Sequence, residues 1–524
     1  MGKVRNILFI MCDQLRADYL GCTGHPSIQT PNIDALAARG VNFSRAYCQA
    51  PVCGPSRMSF YTGRYMQSHG STYNNVPLRI GERTLGDYMR TMGLRTGLIG
   101  KTHMAADREG MQRLGVDPSS FEGVLASQCG FEPWERDDGL HPDQIADPNL
   151  AYNNYLRAHG YEGENPWHTV ANAAEGPDGE ILSGWQMRYA NLPARVDKAH
   201  SETAYMTERA MQTITDMGDE AWCMHLSYIK PHWPYVAPAP YHNMYGDNDI
   251  LPANRDESER IAPHPVIDAF MGHEESVNFS REEVRRRVIP AYMGLISEID
   301  DHMGRLIAFL DDNGRMDDTL IVFTADHGDY LGDHWLGEKE MFHDESLRIP
   351  MIVYDPDHAA DASRGTTDDR FVEAIDLIPS FVDALGGPSA DHVLEGRSLV
   401  PVLRGRANGE WRDAVFSEAD YAFRGARHTL NRAPDAARAF MVRTEQWKYV
   451  SYDGYHPQLF DCLNDPKELQ DLGTSDAHAD VCATLEARLM LWLRQRRNRT
   501  TIPFDAVERQ TDTAKDRGYL FGVW

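Results

Sequence analysis

No stretch of this sequence approaches the roughly 18 consecutive apolar residues of a membrane-spanning helix, so no membrane partner is expected. The opening segment, MGKVRNILFIMCDQ, has a basic start and a short apolar run but no small-residue cleavage site. It reads as a strand rather than a secretion signal, and a cytoplasmic location is expected. The eight cysteines, at 12, 22, 48, 53, 129, 223, 462 and 482, contain no Cys-x-x-Cys pairing. Cys48 and Cys53 are near enough to consider as a pair, but reduced thiols are the expectation. Positive charge is scarce: 52 Lys and Arg stand against 78 Asp and Glu, a net charge of −26. That argues against broad binding to nucleic acid or anionic membranes. It leaves room for an anionic substrate, because a metal ion and a few cations reverse the potential inside a pocket. Internal repeats and low-complexity tracts are absent as well.

What the chain does contain is an ordinary globular balance, 42% hydrophobic and 25% charged residues. Its 524 residues exceed one compact core, so two lobes are expected. VRNILFIMC reads as a buried strand ending at Asp13. TPNIDALAARG follows as a helix with Thr30 as cap, and VNFSRAYCQ alternates as a strand. RTLGDYMRTMG is helical; RTGLIGK is a strand ending at Lys101, and AWCMHLSYIK one that runs into Pro231-His232. A long helix fits 283–312, with a bend expected at Pro290. DTLIVFTAD is a strand ending at Asp326, RIPMIVYDP a further strand and VEAIDLIPSFVDALG a helix. This alternation predicts an α/β sandwich over residues 1–400, a mixed, mostly parallel sheet between helices. Residues 104–220 show few clear elements and read as an insertion over the site. Residues 401–524 read as a smaller lobe of antiparallel strands with a helix over 478–498.

Ionisable residues stand at four strand ends: Asp13, Lys101, His232 and Asp326. In open α/β sheets sites gather outside the carboxyl ends of the strands. PVCGPSRMSF, residues 51–60, puts Cys53 just ahead of a Pro55 suited to a first helical turn. A group there meets free N–H groups and the positive end of the helix dipole, a place for a thiolate, a metal ligand or a nucleophile; a small buried cysteine in a turn is the plainer alternative. TADHGDYLGDHW sets Asp326 and His327 together after a strand, and Asp13-Gln14 adds a carboxylate and a neutral oxygen. Carboxylate oxygens suit a hard divalent cation, and an imidazole moves the preference toward transition metals such as Mn²⁺.

CGPSR at 53–57 resembles the C-x-P-S-R signature of the sulfatases, within the alkaline phosphatase superfamily. NILFIMCDQLRADYLGCTG, GLIGKTHM, YIKPHWPY, VFTADHGDYLGDHWLGEKEMFHDESLRIPMIVYDP and VRTEQWKYVSYDGYHPQLFDCLNDPKELQDL resemble sulfatase blocks in sulfatase order, covering both lobes but not the insertion. The resemblance implies an alkaline phosphatase-like fold. It implies that Cys53 is oxidised to formylglycine by a formylglycine-generating or sulfatase-maturing enzyme. The hydrated aldehyde has two hydroxyls: one attacks sulfur or phosphorus in line, and the other expels the inorganic anion as the aldehyde re-forms. Carried over position by position, Asp13, Gln14, Asp326 and His327 are the implied ligands of one divalent metal. Arg57 would stabilise the diol, and Lys101 would bind the transferring oxyanion. His103 would help deprotonate the diol. His232 and Lys339 would contact the anion and the leaving oxygen. Asn74, or Asn75 if the match slips by one, would donate a hydrogen bond to the substrate.

The pattern is mixed. Asp13-Gln14 and Asp326-His327 resemble the phosphonate monoester hydrolase/phosphodiesterase and choline-sulfatase branches, whereas typical arylsulfatases carry Asp-Asp and Asp-Asn. Lys101-Thr102-His103 is the sulfatase choice where phosphonate hydrolases carry Tyr-x-Thr. Mn²⁺ is therefore favoured, with Ca²⁺ possible. The leading expectation is a sulfate monoester hydrolase acting on a small anionic ester. A phosphonate monoester and phosphodiester hydrolase is the alternative, and a non-catalytic binding protein a remote one. A homo-oligomer, dimer or tetramer, is expected.

Overall fold

A computed structural model describes residues 4–139, 150–407, 409–520, 522 and 524. The first strand, β1 (Asn6–Asp13), is buried along its whole length, as the unbroken apolar run requires of a central parallel strand. Among the described residues nine strands form the large sheet. Eight of them are β1, β2 (Val41–Tyr47), β3 (Arg95–Gly100), β4 (Glu132–Arg136), β5 (Trp222–Pro231), β6 (Thr319–Ala325), β7 (Met351–Tyr354) and β8 (Thr366–Glu373), in the order β8-β2-β7-β6-β1-β5-β3-β4. β1 lies parallel to both β5 and β6, and β3 parallel to β5, so Asp13, Lys101, His232 and Asp326 all emerge at one edge of the sheet. The β1–β5 register slips between Cys12 and Asp13: Cys12 pairs with Tyr228 and Asp13 with Pro231, so Ile229 and Lys230 bulge from β5 where the site begins.

Helices α1 (Pro31–Arg39), α2 (Cys53–Thr62), α3 (Leu85–Thr91), α4 (Glu202–Met217), α5 (Glu282–Asp312) and α6 (Leu377–Ala384) flank the sheet. A second sheet of four antiparallel strands, β9 (Ala414–Asp420), β10 (Arg438–Thr444), β11 (Trp447–Tyr452) and β12 (Gln458–Asp461), packs against α7 (Ala479–Arg494). The α/β sandwich and the antiparallel C-terminal sheet expected from the pattern are both present. None of the eight cysteines is bridged, and among the described residues no helix is long and apolar enough to cross a membrane.

Several local readings change. RIPMIVYDP is broken at Pro350: Arg348–Ile349 pairs with β2, and β7 runs antiparallel to β6. A proline lacks the N–H that a continuous ladder strand would need. VEAIDLIPSFVDALG is not one helix; Phe371–Glu373 complete β8 beside β2, and α6 starts only at Leu377. Thr30 does not cap α1 through its side chain; its hydroxyl accepts the Gly21 N–H and donates to Asp34. The insertion is better ordered than expected. It holds α4, short helices at Arg108–Leu114, Phe121–Ala126 and Ala151–Ala158, and β4, which extends the main sheet. Its residues 140–149 lie outside the described part.

Candidate active site

Cys53 is the first residue of α2, and all ten residues of that helix are buried. The helix has no side-chain cap of its own; Asn74, from a neighbouring loop, accepts the Gly54 N–H through Oδ1 at 2.7 Å. That spends the oxygen of Asn74 on the helix start and leaves its amide nitrogen as donor. Asn75, next in line, is exposed in a left-handed backbone conformation.

The Cys53 sulfur lies 3.2 Å from His327 Nε2 and 3.6 Å from Asp13 Oδ1. One donor atom from each of Asp13, Cys53, Asp326 and His327 falls within 4.8 Å of the others, all four residues buried. Second contacts aim this set. His327 Nδ1 lies 2.9 Å from the Gly328 carbonyl, which leaves the Nε2 lone pair facing inward. Asp13 splits its oxygens: Oδ2 meets Lys101 Nζ at 2.6 Å and Arg57 Nη2 at 3.1 Å, and Oδ1 turns to Cys53. Asp326 Oδ2 accepts from Arg57 Nε at 2.9 Å, while Oδ1 accepts the backbone N–H groups of Gln14 and His327. Two carboxylates and one inward imidazole, held from behind, fit a divalent cation of the Mn²⁺ or Ca²⁺ kind.

Two residues play different parts from those their sequence positions suggested. Arg57 does not face the nucleophile with a free edge. Its Nη1 donates to the Lys101 carbonyl and Ser227 Oγ, both at 2.7 Å, so with its two carboxylate contacts every guanidinium nitrogen is engaged. It is a buried clamp joining the ends of β1, β3 and β6 to Ser227 within β5. Gln14 reaches the site, but its Oε1 accepts from Lys339 Nζ at 2.9 Å and its Nε2 donates to Asp329 at 2.5 Å. Gln14 thereby positions Lys339.

Lys339 Nζ also lies 3.2 Å from His232 Nε2, and the nearest carboxylate, Glu338, is 3.9 Å away. His232 Nδ1 is 2.7 Å from the Trp233 carbonyl. Burial and Lys339 push the His232 imidazole down to about 3, so it is neutral near pH 7. His103, in a left-handed conformation, has its backbone N–H held by Asp138, and its buried Nδ1 has no partner. Burial opposes a thiolate at Cys53, but Lys339, Lys101 and His327 overcome it and hold the group well below the usual thiol range. Burial likewise disfavours a charged His327, yet Asp326 and the Cys53 sulfur lift it to about 9; on binding a divalent cation, Nε2 would give up that proton and offer its lone pair. Asp13, against burial and the sulfur, is kept ionised by Lys101 first and by Arg57. The site is thus poised for negative charge at residue 53 and on a bound anion.

The expected residues therefore converge, and others join them. Asp329, Tyr235, Ser227 and Asp138 were not foreseen; each is a single polar residue, Ser227 inside β5 and the others on loops. Asp329, three residues after Asp326 in the same motif, is the one the sequence offered a signal for.

A buried group at a helix start, facing two carboxylates and an imidazole at the carboxyl edge of an α/β sandwich, defines an alkaline phosphatase-like hydrolase. The sulfatase family pattern matches residues 5–387, and that of the N-sulphoglucosamine sulphohydrolase C-terminal region matches 332–495. The chain belongs to the sulfatase family. It is 30% identical to the multifunctional alkaline phosphatase superfamily protein PehA of Trinickia caryophylli, over 95% of this chain and 96% of that one. It is 27% identical to an arylsulfatase of Clostridium perfringens, over 91% of each. The structure of phosphonate monoester hydrolase SpPMH from Silicibacter pomeroyi matches with a TM-score of 0.82 and 29% identity, over 96% of this chain and 98% of that one.

Proposed function

We propose that this protein hydrolyses sulfate monoesters, and phosphonate monoesters and phosphodiesters at the same site, with residue 53 as nucleophile after oxidation to formylglycine. The observation that carries the reading is the Lys339 ammonium, buried beside the Cys53 pocket with only neutral hydrogen-bond partners. Its nearest carboxylate, Glu338, stands 3.9 Å away, beyond hydrogen-bond reach, so a bound anion would complete the pairing of this buried cation. Sulfate monoesters and phosphonate monoesters both present one negative charge on a tetrahedral centre.

In this reading the Cys53 sulfur marks where a formylglycine hydroxyl would stand. Asp13, Asp326 and His327 would hold the divalent cation, which supplies Lewis-acid activation and positive charge when bound. Lys101 and Lys339 bind the oxygens of the transferring group. His103, two residues after Lys101 just past the end of β3, takes the nucleophile's proton. His232 and Lys339 hold the leaving oxygen, and the Asn74 amide nitrogen orients the substrate.

A second reading ranks the phosphonate activity first. The Gln14 and His327 positions favour it, as does the likeness to SpPMH. Parallel kinetics on an aryl sulfate and an aryl phosphonate monoester decide the order. We expect both to turn over, and the double variant Lys101→Tyr with His103→Thr to lose at least about tenfold more sulfatase than phosphonate activity, since general acid–base help is worth about 10² to 10⁴ in rate. Equal losses would reverse the ranking.

A further inference from the structure

The residues on either side of Lys339 do something the catalytic assignments leave unexplained. Glu338 and Glu340 both adopt positive φ, 60° and 100°. Neither is glycine, so each position carries backbone strain that its surroundings must hold in place. What holds them is a pair of aromatic rings. Glu338 accepts from Trp233 Nε1, and Glu340 accepts from the Tyr73 hydroxyl at 2.7 Å. The Tyr73 ring in turn stacks on Phe423, with centroids 4.9 Å apart and planes 14° from parallel. Arg424 fixes that corner by pairing with Glu340 and Glu275.

The two ring systems contact the residues on either side of Lys339. Trp233 follows His232, stands 5.8 Å from Lys339 Nζ and packs on Trp185 of the insertion at 5.2 Å. Tyr73 precedes Asn74, which holds the start of the helix bearing Cys53. Trp233 and Tyr73 are half-buried, and Phe423 is 63% exposed although it is a large apolar ring. Half-exposed aromatic rings at the rim of a buried polar site are suited to grip a flat apolar group.

We propose that Trp233 and the Tyr73–Phe423 stack are the walls of the leaving-group subsite, and that they select esters of planar aromatic alcohols over esters of aliphatic ones. The inference rests on the proposed placement of Lys339 at the leaving oxygen. The strained Glu338–Lys339–Glu340 segment then acts as a bracket, directing the ammonium inward while its two carboxylates set the distance between the walls. Phe423 comes from the C-terminal part of the chain, so that part contributes to specificity.

The test compares kcat/KM for phenyl sulfate and n-propyl sulfate, both followed by released inorganic sulfate. Wild type, Phe423→Ala and Phe423→Tyr are measured, with a thermal melt of each. Comparing ratios between proteins cancels the greater intrinsic reactivity of the phenyl ester. We expect the aryl-to-alkyl ratio to fall about three- to tenfold in Phe423→Ala, the scale of one aromatic stacking contact, and to stay within about twofold of wild type in Phe423→Tyr. An unchanged ratio in a well-folded Phe423→Ala protein, with both esters turned over, overturns the subsite while leaving the hydrolase reading intact. A wild-type protein that turns over neither ester contradicts the proposed function, and the subsite falls with it.

Discussion

Replacing Lys339 by methionine separates catalytic from structural contributions more cleanly than any other change in the site. The two side chains are similar in length, but methionine carries no charge. In the folded protein Lys339 is 7% exposed and has no carboxylate within hydrogen-bonding distance. Its loss removes two hydrogen bonds, to Gln14 Oε1 and His232 Nε2, each worth about 1 kcal/mol net. It also removes the cost of burying an ammonium, which Glu338 at 3.9 Å and the carboxylates of Asp13 and Asp326 offset in part. The two effects oppose, so stability should move by no more than about 2 kcal/mol in either direction. Catalysis should not be spared. Deleting one charged donor aimed at a developing oxyanion costs about 10² to 10³ in kcat. Lys101→Met makes the control: Lys101 pairs with Asp13 at 2.6 Å, so its removal leaves that buried carboxylate to Arg57 alone and should destabilise by about 2 kcal/mol or more. Initial rates on an aryl sulfate and denaturant unfolding of both variants supply the comparison. A Lys339→Met protein within about tenfold of wild-type activity would refute the anion-binding role, as would an activity loss matched by equal unfolding.

Three further outcomes are expected. Cys53→Ala should abolish turnover without disturbing the fold, and Cys53→Ser should turn over once at best, because a single hydroxyl leaves no second group to expel the product; multiple turnover by either variant contradicts this. Chelation should stop activity, and Mn²⁺ should restore it better than Ca²⁺, given His327 beside two carboxylates; equal or better rescue by Ca²⁺ rejects the choice of metal. His334, although buried, is lifted to about 10 by Glu345 and Glu259, so its ion pairs contribute stability fully below about pH 6.5 and lose it as pH rises through about 10. The decline in stability over that interval should flatten in His334→Gln, and an unchanged slope in the variant refutes the assignment.

How much could be read beforehand depended on how many residues carried each signal. β1, β5 and β6 were legible because a strand buried on both faces must be apolar throughout. The start of α2 was legible from Pro55 and the ten-residue motif. The insertion was not. Apart from α4, its helices are short and part-exposed, so their apolar residues are too few to establish a period, and β4 (EPWER) joins the sheet as an edge strand with a proline. At the site, residue types were legible but directions were not. Helical spacing puts Arg57 one turn from Cys53, yet the partners of its fork, Asp13, Asp326, Ser227 and the Lys101 carbonyl, come from on or just after four strands that only the folded sheet assembles. The same holds for Gln14, whose amide meets a lysine 325 positions later. Glu338 and Glu340 gave no signal, because positive φ at a glutamate is imposed by tertiary contacts rather than by the residue.

The central claim is that residue 53 acts as formylglycine and not as a thiol. The direct measurement is the mass of the peptide containing Cys53, taken from a series of preparations of graded maturation whose turnover of an aryl sulfate is measured in parallel. The account predicts that activity rises in proportion to the aldehyde fraction at residue 53 and extrapolates to zero where that residue is entirely cysteine. Full activity in a preparation carrying only the thiol would contradict it.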